Sequence, residues 1–409
     1  MATRSSPAVQ PLSLDWLLHP VAESDFFRTN WESEPLLVER TDPAYFAGLP
    51  GLDSIEELIT ATSAGRTRSK EDAYLIRSEH GTPRERGIRL DAKGIPDIQD
   101  VYGAYHDGFT VVVNRIHCRS AVIADLSRNL EAVLHHPVGV NLYFTPKCGQ
   151  GLPPHVDTHD VFILQLHGTK KWHVGSPPKE LPLADAEKSP VELRDFQEFT
   201  LNPGDTFYLP RGFPHEALTS TSSSVHLTVG INAYRWVDLI AEALDALAGE
   251  DLRLRRTLPP GFLHDHLKPE HASELAERLA DALKDGALAE LAKVRLGTRL
   301  FRGTKAMGAG NFRSLDEISR LTEASQVYRT PSLFCRVRST SDEALIEFPT
   351  NFVSGPKFLE PALRFIAERE RFTVRELPDT LSVEDKLDLV SRLVREGLLR
   401  ITQEIQGET

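Results

Sequence analysis

The spacing of apolar and polar positions changes character along the chain. The middle reads in short β segments: Val138 to Thr145, Asp160 to His167, Lys171 to Val174, Thr206 to Leu209 and Ser224 to Ala233. Turn signals separate them, among them Gly168-Thr169, Pro177-Pro178 and Asn202-Pro203-Gly204-Asp205. Many short strands bounded by turns predict a closed double-sheet β architecture, a jelly roll. Two strands are expected ahead of it, Ala73 to Ile76 and Thr110 to Ile116. Ser54-Ile55-Glu56-Glu57 reads as a capping box opening a helix to about Ala64. Ser120 to His135 places Val122, Ile123, Leu126, Leu130, Val133 and Leu134 at helical spacing. Residues 1–10 are expected to be disordered, 65–72 a loop, and the Arg- and Glu-rich stretch Ser78 to Gly94 a mobile surface loop.

After Trp236 the period lengthens. Val237 to Leu247 and Ala272 to Val294 carry helical spacing, with Leu275, Leu279 and Leu283 forming a stripe that must be buried somewhere. From near Leu315 the order is helix, strands (Leu333 to Val337, Ala344 to Phe348), helix (Pro361 to Glu370) and the segment Phe372 to Leu377. A capped helix from Ser382 to Glu396 and a strand from Leu398 to Ile401 follow. The chain therefore divides into 1–235, a β domain with an N-terminal elaboration; 236–313, a helical region; and 314–409, a domain ordered like a winged helix.

A chain of 409 residues exceeds one core, in keeping with this division. Hydrophobic content of 40% and charged content of 26% are those of a globular protein. No apolar run reaches membrane-spanning length, so no membrane association is expected. The start, Met1-Ala2-Thr3-Arg4-Ser5-Ser6-Pro7, lacks the apolar core of a signal peptide. Cys118, Cys148 and Cys335 are widely spaced, which excludes a Cys-based zinc module and fits a reducing, cytoplasmic setting. The net charge of −12 disfavours nucleic-acid binding by bulk electrostatics. From Pro356 onward there are nine Lys/Arg against eleven Asp/Glu, so the C-terminal domain is poorly suited to tracking phosphates.

The candidate chemistry lies in Gly151 to Gly168. His155-x-Asp157 opens a strand, where positions i and i+2 share a face, so an imidazole and a carboxylate would project into one space. The best third ligand is His215, reached through Gly204, Pro210 and Gly212. Two histidines and one carboxylate with open positions are the ligand set of non-haem Fe(II) oxygenases. His159 continues the same face as a supporting or entrance group. Asn114, among apolar neighbours, needs partners and would face a co-substrate or oxygen. His167, His173 and His226 read as structural.

Gly204, Pro210, Gly212 and His215 fit the second cupin motif, G-x5-P-x-G-x2-H, and His155-x-Asp157 with its following strand and Gly168 fits the JmjC form of the first. Together with Asn141 to Pro146, Lys170 and Trp172, this stretch resembles the ribosomal oxygenase branch of the JmjC proteins, most closely from about Tyr143 to Gly230. Trp31 followed by Pro35-Leu36-Leu37-Val38 resembles the opening segment of the same family. The resemblance implies an α+β chain: a double-stranded β-helix (jelly-roll, cupin) core, a helical dimerisation region making a homodimer, and a C-terminal winged-helix-like domain. It further implies Fe(II), 2-oxoglutarate and O2 as cofactor and co-substrates, and hydroxylation of a histidine or arginine side chain of a protein, in this branch a ribosomal protein. By the same resemblance His155, Asp157 and His215 hold iron, and Lys170 pairs with the far carboxylate of 2-oxoglutarate. Tyr143 helps to bind that carboxylate, and Thr228 faces the same pocket. Arginine-hydroxylating members carry Arg at the Lys170 position, which places this chain closer to the histidine-hydroxylating ones. Competing readings are a hydroxylase of a peptide or small-molecule natural product, a methyl-lysine demethylase, and a non-catalytic cupin whose winged helix binds a partner.

Overall fold

The strands read from the sequence close into two facing sheets. The computed structural model describes residues 12–61, 72–183, 191–258, 260–263, 269–284, 286–304, 311–330 and 333–402. The expectations for residues 1–10 and most of 65–72 lie outside them. Helices α1 (Leu14–Leu18) and α2 (Glu23–Thr29) lead into strand β1 (Leu36–Val38). Helix α3 (Ile55–Thr60) follows, and Ser54 stands at its N-cap without a side-chain capping hydrogen bond. Next come β2 (Ala73–Glu79), β3 (Thr82–Gly87), α4 (Ile98–His106), β4 (Thr110–Val113), α5 (Ala121–Leu134) and β5 (Val138–Thr145). The core is completed by β6 (His155–Val156), β7 (Asp160–His167), β8 (Lys170–Val174), β9 (Gln197–Leu201), β10 (Thr206–Leu209), β11 (Pro214–Leu218) and β12 (Ser224–Ile231).

The large sheet runs β1-β10-β7-β12-β5-β4-β2-β3 and the small one β6-β11-β8-β9. On β5, Val140 and Leu142 point outward into a core with Leu14, Phe26, Ile123, Leu126 and Leu130 of the covering helices. Asn141, Tyr143 and Thr145 point to the opposite face, by the period of two. Between the sheets Val161, Ile163 and Phe207 of the large sheet pack with Trp172 and Val174 of the small one. Strands covered on both faces read as near-continuous apolar runs, which is why β5, β7 and β12 were legible.

Ser78 to Gly94 is not a mobile loop: β2 and β3 form a hairpin, with Ile76 opposite Glu85. The polar sequence Thr82-Pro83-Arg84-Glu85-Arg86-Gly87 carries no apolar alternation, because one of its faces is a charged surface. Strands β9 and β11 were likewise not foreseen, and the strand from Thr110 stops at Val113, with Arg115 in the left-handed region at φ 56°.

Helices α6 (Trp236–Glu250), α7 (Leu252–Arg255), α8 (Pro269–Lys284) and α9 (Ala287–Gly303) follow. The single helix expected over Ala272 to Val294 is thus two, parted at Gly286, whose φ of +76° an L side chain rarely adopts. Leu275, Leu279 and Leu283 are half-buried. The remaining elements are α10 (Asn311–Glu317), β13 (Gln326–Arg329), β14 (Arg336–Ser339), β15 (Glu343–Phe348), β16 (Asn351–Pro356), α11 (Glu360–Glu368), β17 (Arg371–Thr373), α12 (Val383–Arg395) and β18 (Leu399–Ile401). Two small sheets, β17-β13-β18 and β14-β15-β16, share one core with α11 and α12. Ser382 caps α12, its hydroxyl accepting from the Asp385 N–H at 3.1 Å. Among the described residues no helix is long and apolar enough to cross a membrane.

Candidate metal centre

Strand pairing, not sequence proximity, assembles the site. His155 of β6 is the direct register partner of His215 of β11. Their rings lie 4.3 Å apart, centroid to centroid. Asp157, two residues past His155, places its carboxylate 3.8 Å from His155 Nε2 and 3.7 Å from His215 Nε2. One ligand atom from each of the three lies within 4.8 Å of the others, the only such group of metal-ligating side chains among the described residues. Backbone carbonyls set both rings: His155 Nδ1–H donates to Pro153 O at 2.9 Å and His215 Nδ1–H to Phe213 O at 3.0 Å. A carbonyl only accepts, so each Nδ1 carries the proton and each Nε2 keeps its lone pair for a metal. Burial and the neighbouring His155 push the His215 pKa down to about 4, so the ring is neutral near neutral pH.

The approach to His215 is fixed by a buried ion pair. Arg211 donates to the Asp160 carboxylate from its backbone at 3.0 Å and from its guanidinium at 2.7 Å, and it also binds Glu32. Asp160 opens β7 and Arg211 follows β10, so the pair ties the two strands whose loops carry the ligands.

The triad opens into a cavity of about 250 Å³ between the sheets. Lys170, the first residue of β8, is 4% exposed and donates from Nζ to Thr145 Oγ1 at 3.0 Å. Among the described residues no carboxylate pairs with it, and burial pushes its pKa down from 10.5 to about 7. Trp172, on the same face of β8, has its indole N–H buried without a hydrogen-bond partner among the described residues. A buried cation and an unanswered donor beside three metal-ligating atoms fit an anionic ligand that also reaches the metal.

The sequence-derived residues fall as follows. Tyr143 and Thr228 line the cavity, as does His159. Tyr143 lies flat on His226, with ring centroids 5.0 Å apart, and its hydroxyl pKa is raised well above 10 by burial. Lys171 points away and pairs with Glu198 at 2.9 Å. Asn114 is not brought to the cavity: it lies beyond the end of β4, its N–H bonded to Asp72 O and its carbonyl to Arg119. The amide that lines the site is Asn141, whose Oδ1 accepts from Arg115 N at 2.9 Å. The period of two along β5, from Tyr143 and Thr145, points to it. His226 also lines the cavity, though the sequence reads it as structural. Tyr74, Ile76 and Glu85 were missed, because a hairpin far back in the chain delivers them.

Residues 115–239 match the family model for the JmjC domain. Ribosomal oxygenase 2 of Rattus norvegicus is 31% identical over 282 residues, covering 66% of this chain and 58% of that protein. The bifunctional lysine-specific demethylase and histidyl-hydroxylase NO66 of Culex quinquefasciatus is 29% identical over 284 residues, 66% of this chain and 42% of its own length. The chain thus spans about half the length of these curated relatives. Among solved structures, Escherichia coli ycfD aligns over 93% of this chain and 98% of its own with a TM-score of 0.59 at 18% identity. The same ribosomal oxygenase in complex with cobalt and 2-oxoglutarate aligns over 94% and 99% with a TM-score of 0.56 at 20% identity. At that identity the likeness establishes the fold.

Proposed function

We propose that this chain, a member of the JmjC ribosomal oxygenase family, is an Fe(II)- and 2-oxoglutarate-dependent oxygenase that hydroxylates a histidine or arginine side chain of a ribosomal protein. The observation that carries the reading is the presence, in one cavity, of His155, Asp157 and His215 together with the buried Lys170. Ferrous iron with 2-oxoglutarate and O2 supplies the oxidising power, one oxygen atom going to a substrate C–H and the other to succinate, with release of CO2. His155, Asp157 and His215 would hold the metal, leaving positions open toward the cavity. Lys170, with Thr145 beside it, would anchor the far carboxylate of the co-substrate, and Tyr143 and Thr228 would orient it from the facing sheet. The apolar walls Val161, Ile163 and Trp172 exclude water from the reacting side.

The rest of the chain takes supporting roles in this reading. Its division at 235 and 313 into oxygenase, helical and winged-helix-like parts is supported by the start of α6 at Trp236 and by the separate core of the last part. Homodimer formation through the helical part is supported by Trp236, Ile240 and Leu244, three exposed apolar residues spaced four apart along α6. The acidic balance of the C-terminal part supports a protein-binding role over a nucleic-acid one, and the cysteine usage supports a cytoplasmic site of action.

The test is to incubate the purified protein with Fe(II), ascorbate, 2-oxoglutarate and ribosomal proteins, then to analyse those proteins by mass spectrometry. One histidine or arginine gaining the mass of an oxygen atom is the expected result. Loss of a methylene from a methylated lysine would replace hydroxylation by demethylation.

A further inference from the structure

We propose that the groove between α3 and α4, on the far side of the large sheet from the metal centre, is a docking site for a basic segment of the protein substrate. An aliphatic side chain of that segment enters the groove, and a neighbouring lysine or arginine meets Asp53 and Glu56 at its rim. The choice of a protein substrate as the occupant rests on the oxygenase reading above.

Two short amphipathic helices build the groove. Leu52, Ile55 and Ile59 fall at i, i+3 and i+7 through the turn before α3 and α3 itself, and Ile98, Val101 and Tyr105 do the same along α4. Both stripes lean on the outer face of the large sheet. There Val111 of β4 and Phe144 of β5 are register partners, and Tyr105 stacks on Phe144 with ring centroids 4.3 Å apart. Between the stripes a groove of about 420 Å³ stays open. Leu52, at its rim, is 37% exposed and Tyr102 is 47% exposed. Tyr102 bridges the two helices at the surface, its hydroxyl donating to Glu56 Oε1 at 3.3 Å.

The lining decides the occupant. Floor and walls are apolar, the charged side chains are Asp53 and Glu56, and no lysine, arginine or histidine lies among the described lining residues. An apolar groove with an anionic rim disfavours an acidic ligand and suits an apolar side chain set beside a cation. Its volume falls within the about 300–1,000 Å³ of ligand sites, room for a short segment and not for a domain. The sheet fixes what the contact can do. Phe144 faces the groove, whereas Tyr143 and Thr145 on either side of it face the co-substrate side, where Thr145 holds Lys170. A segment seated in the groove is parted from the metal by the sheet, so it captures the substrate and does not present the reacting residue.

The test uses the full chain without metal and four fluorescent dodecapeptides that differ only at a central pair: Leu-Arg, Leu-Gln, Gly-Arg and Gly-Gln. Anisotropy titration gives the affinities. Leu-Arg is expected to bind about threefold to tenfold more tightly than Leu-Gln, and at least about tenfold more tightly than Gly-Arg. Raising the ionic strength from about 0.05 M to about 0.5 M shrinks the first difference and not the second. Asp53→Asn combined with Glu56→Gln removes the first difference, and Leu52→Ser reduces the second, with melting temperatures confirming that both variants fold. Equal binding of Leu-Arg and Leu-Gln, equal binding of Leu-Arg and Gly-Arg, binding of none, or a preference unmoved by the paired Asp53 and Glu56 changes overturns the proposal. A paired variant that loses mass in solution while its peptide binding holds assigns the groove to a second copy of this chain and overturns it as well. Because binding is read without metal or turnover, each of these failures leaves the oxygenase reading standing, and that reading fails instead on succinate formation.

Discussion

Lys170 Nζ rests 3.0 Å from Thr145 Oγ1, so the buried cation of the cavity is held by a neutral hydroxyl. Its pKa near 7 is that of an ammonium lacking its counter-charge. A bound carboxylate supplies that charge and raises the pKa again. Above pH 7, binding of 2-oxoglutarate must therefore take up a proton, and its affinity should fall by up to about tenfold per pH unit. Titration of the Mn(II) protein with 2-oxoglutarate from neutral to alkaline pH measures this. Lys170→Arg, charged throughout, should flatten the profile, and Lys170→Ala should weaken binding at every pH. A slope unchanged by Lys170→Arg would place the proton elsewhere.

The same lysine gives an opposite sign for stability without ligand. Its folded pKa, about 7, lies below its unfolded value of 10.5. It therefore destabilises the fold below pH 7, and this penalty fades as pH rises toward 10.5. Lys170→Met should raise the melting temperature of the ligand-free protein at pH 7, with a smaller gain at pH 9, while abolishing stabilisation by 2-oxoglutarate. Thermal denaturation with and without the co-substrate reads both effects.

Arg211 and Asp160 form a buried pair at 2.7 Å, 5% and 0% exposed in their side chains. Arg211→Met leaves a buried carboxylate without its partner and should cost about 3–5 kcal/mol. Because Arg211 also sets the chain four residues before His215, metal affinity should fall with stability. Combining it with Asp160→Leu should restore much of the stability and not the affinity. Chemical denaturation and metal titration separate the two.

Gly168 turns the chain from β7 to β8, two residues before Lys170. Its φ is +61°, and a Cβ there would lie 1.7 Å from the carbonyl oxygen of Ser223. Backbone cannot yield as a flexible side chain can, so Gly168→Ala should cost more than about 3 kcal/mol or prevent folding. Denaturant unfolding, or the yield of folded protein, gives the answer.

What could be read from the sequence follows from what each residue had to satisfy locally. Val140, Leu142, Phe162 and Leu164 are buried against helices and sheet, so their strands announce themselves. His155 and Asp157 were legible because their i, i+2 spacing puts them on one face, and His215 because a turn, a proline and a glycine mark the segment before it, although the pairing of β6 with β11 is what brings it to them. Glu85 and Tyr74 were not, since only the pairing of β2 with β3 and β4 brings them to the cavity. Asn114 continues the parity of Thr110 and Val112, but β4 stops at Val113 and Asn114 is not among the residues that line the cavity. Gly286 shows the same limit in a helix, where apolar spacing carries across a break that one left-handed residue enforces.

The measurement that bears most directly on the central claim is succinate formation from 2-oxoglutarate, with Fe(II) and ribosomal proteins present, by the wild-type chain beside Asp157→Ala. Succinate formation that needs both iron and Asp157, matched by oxygen incorporated into one ribosomal protein side chain, is the expected result. Iron-dependent turnover that survives in Asp157→Ala, or no turnover from a wild-type protein with iron bound, would contradict the assignment of this cavity as an oxygenase site.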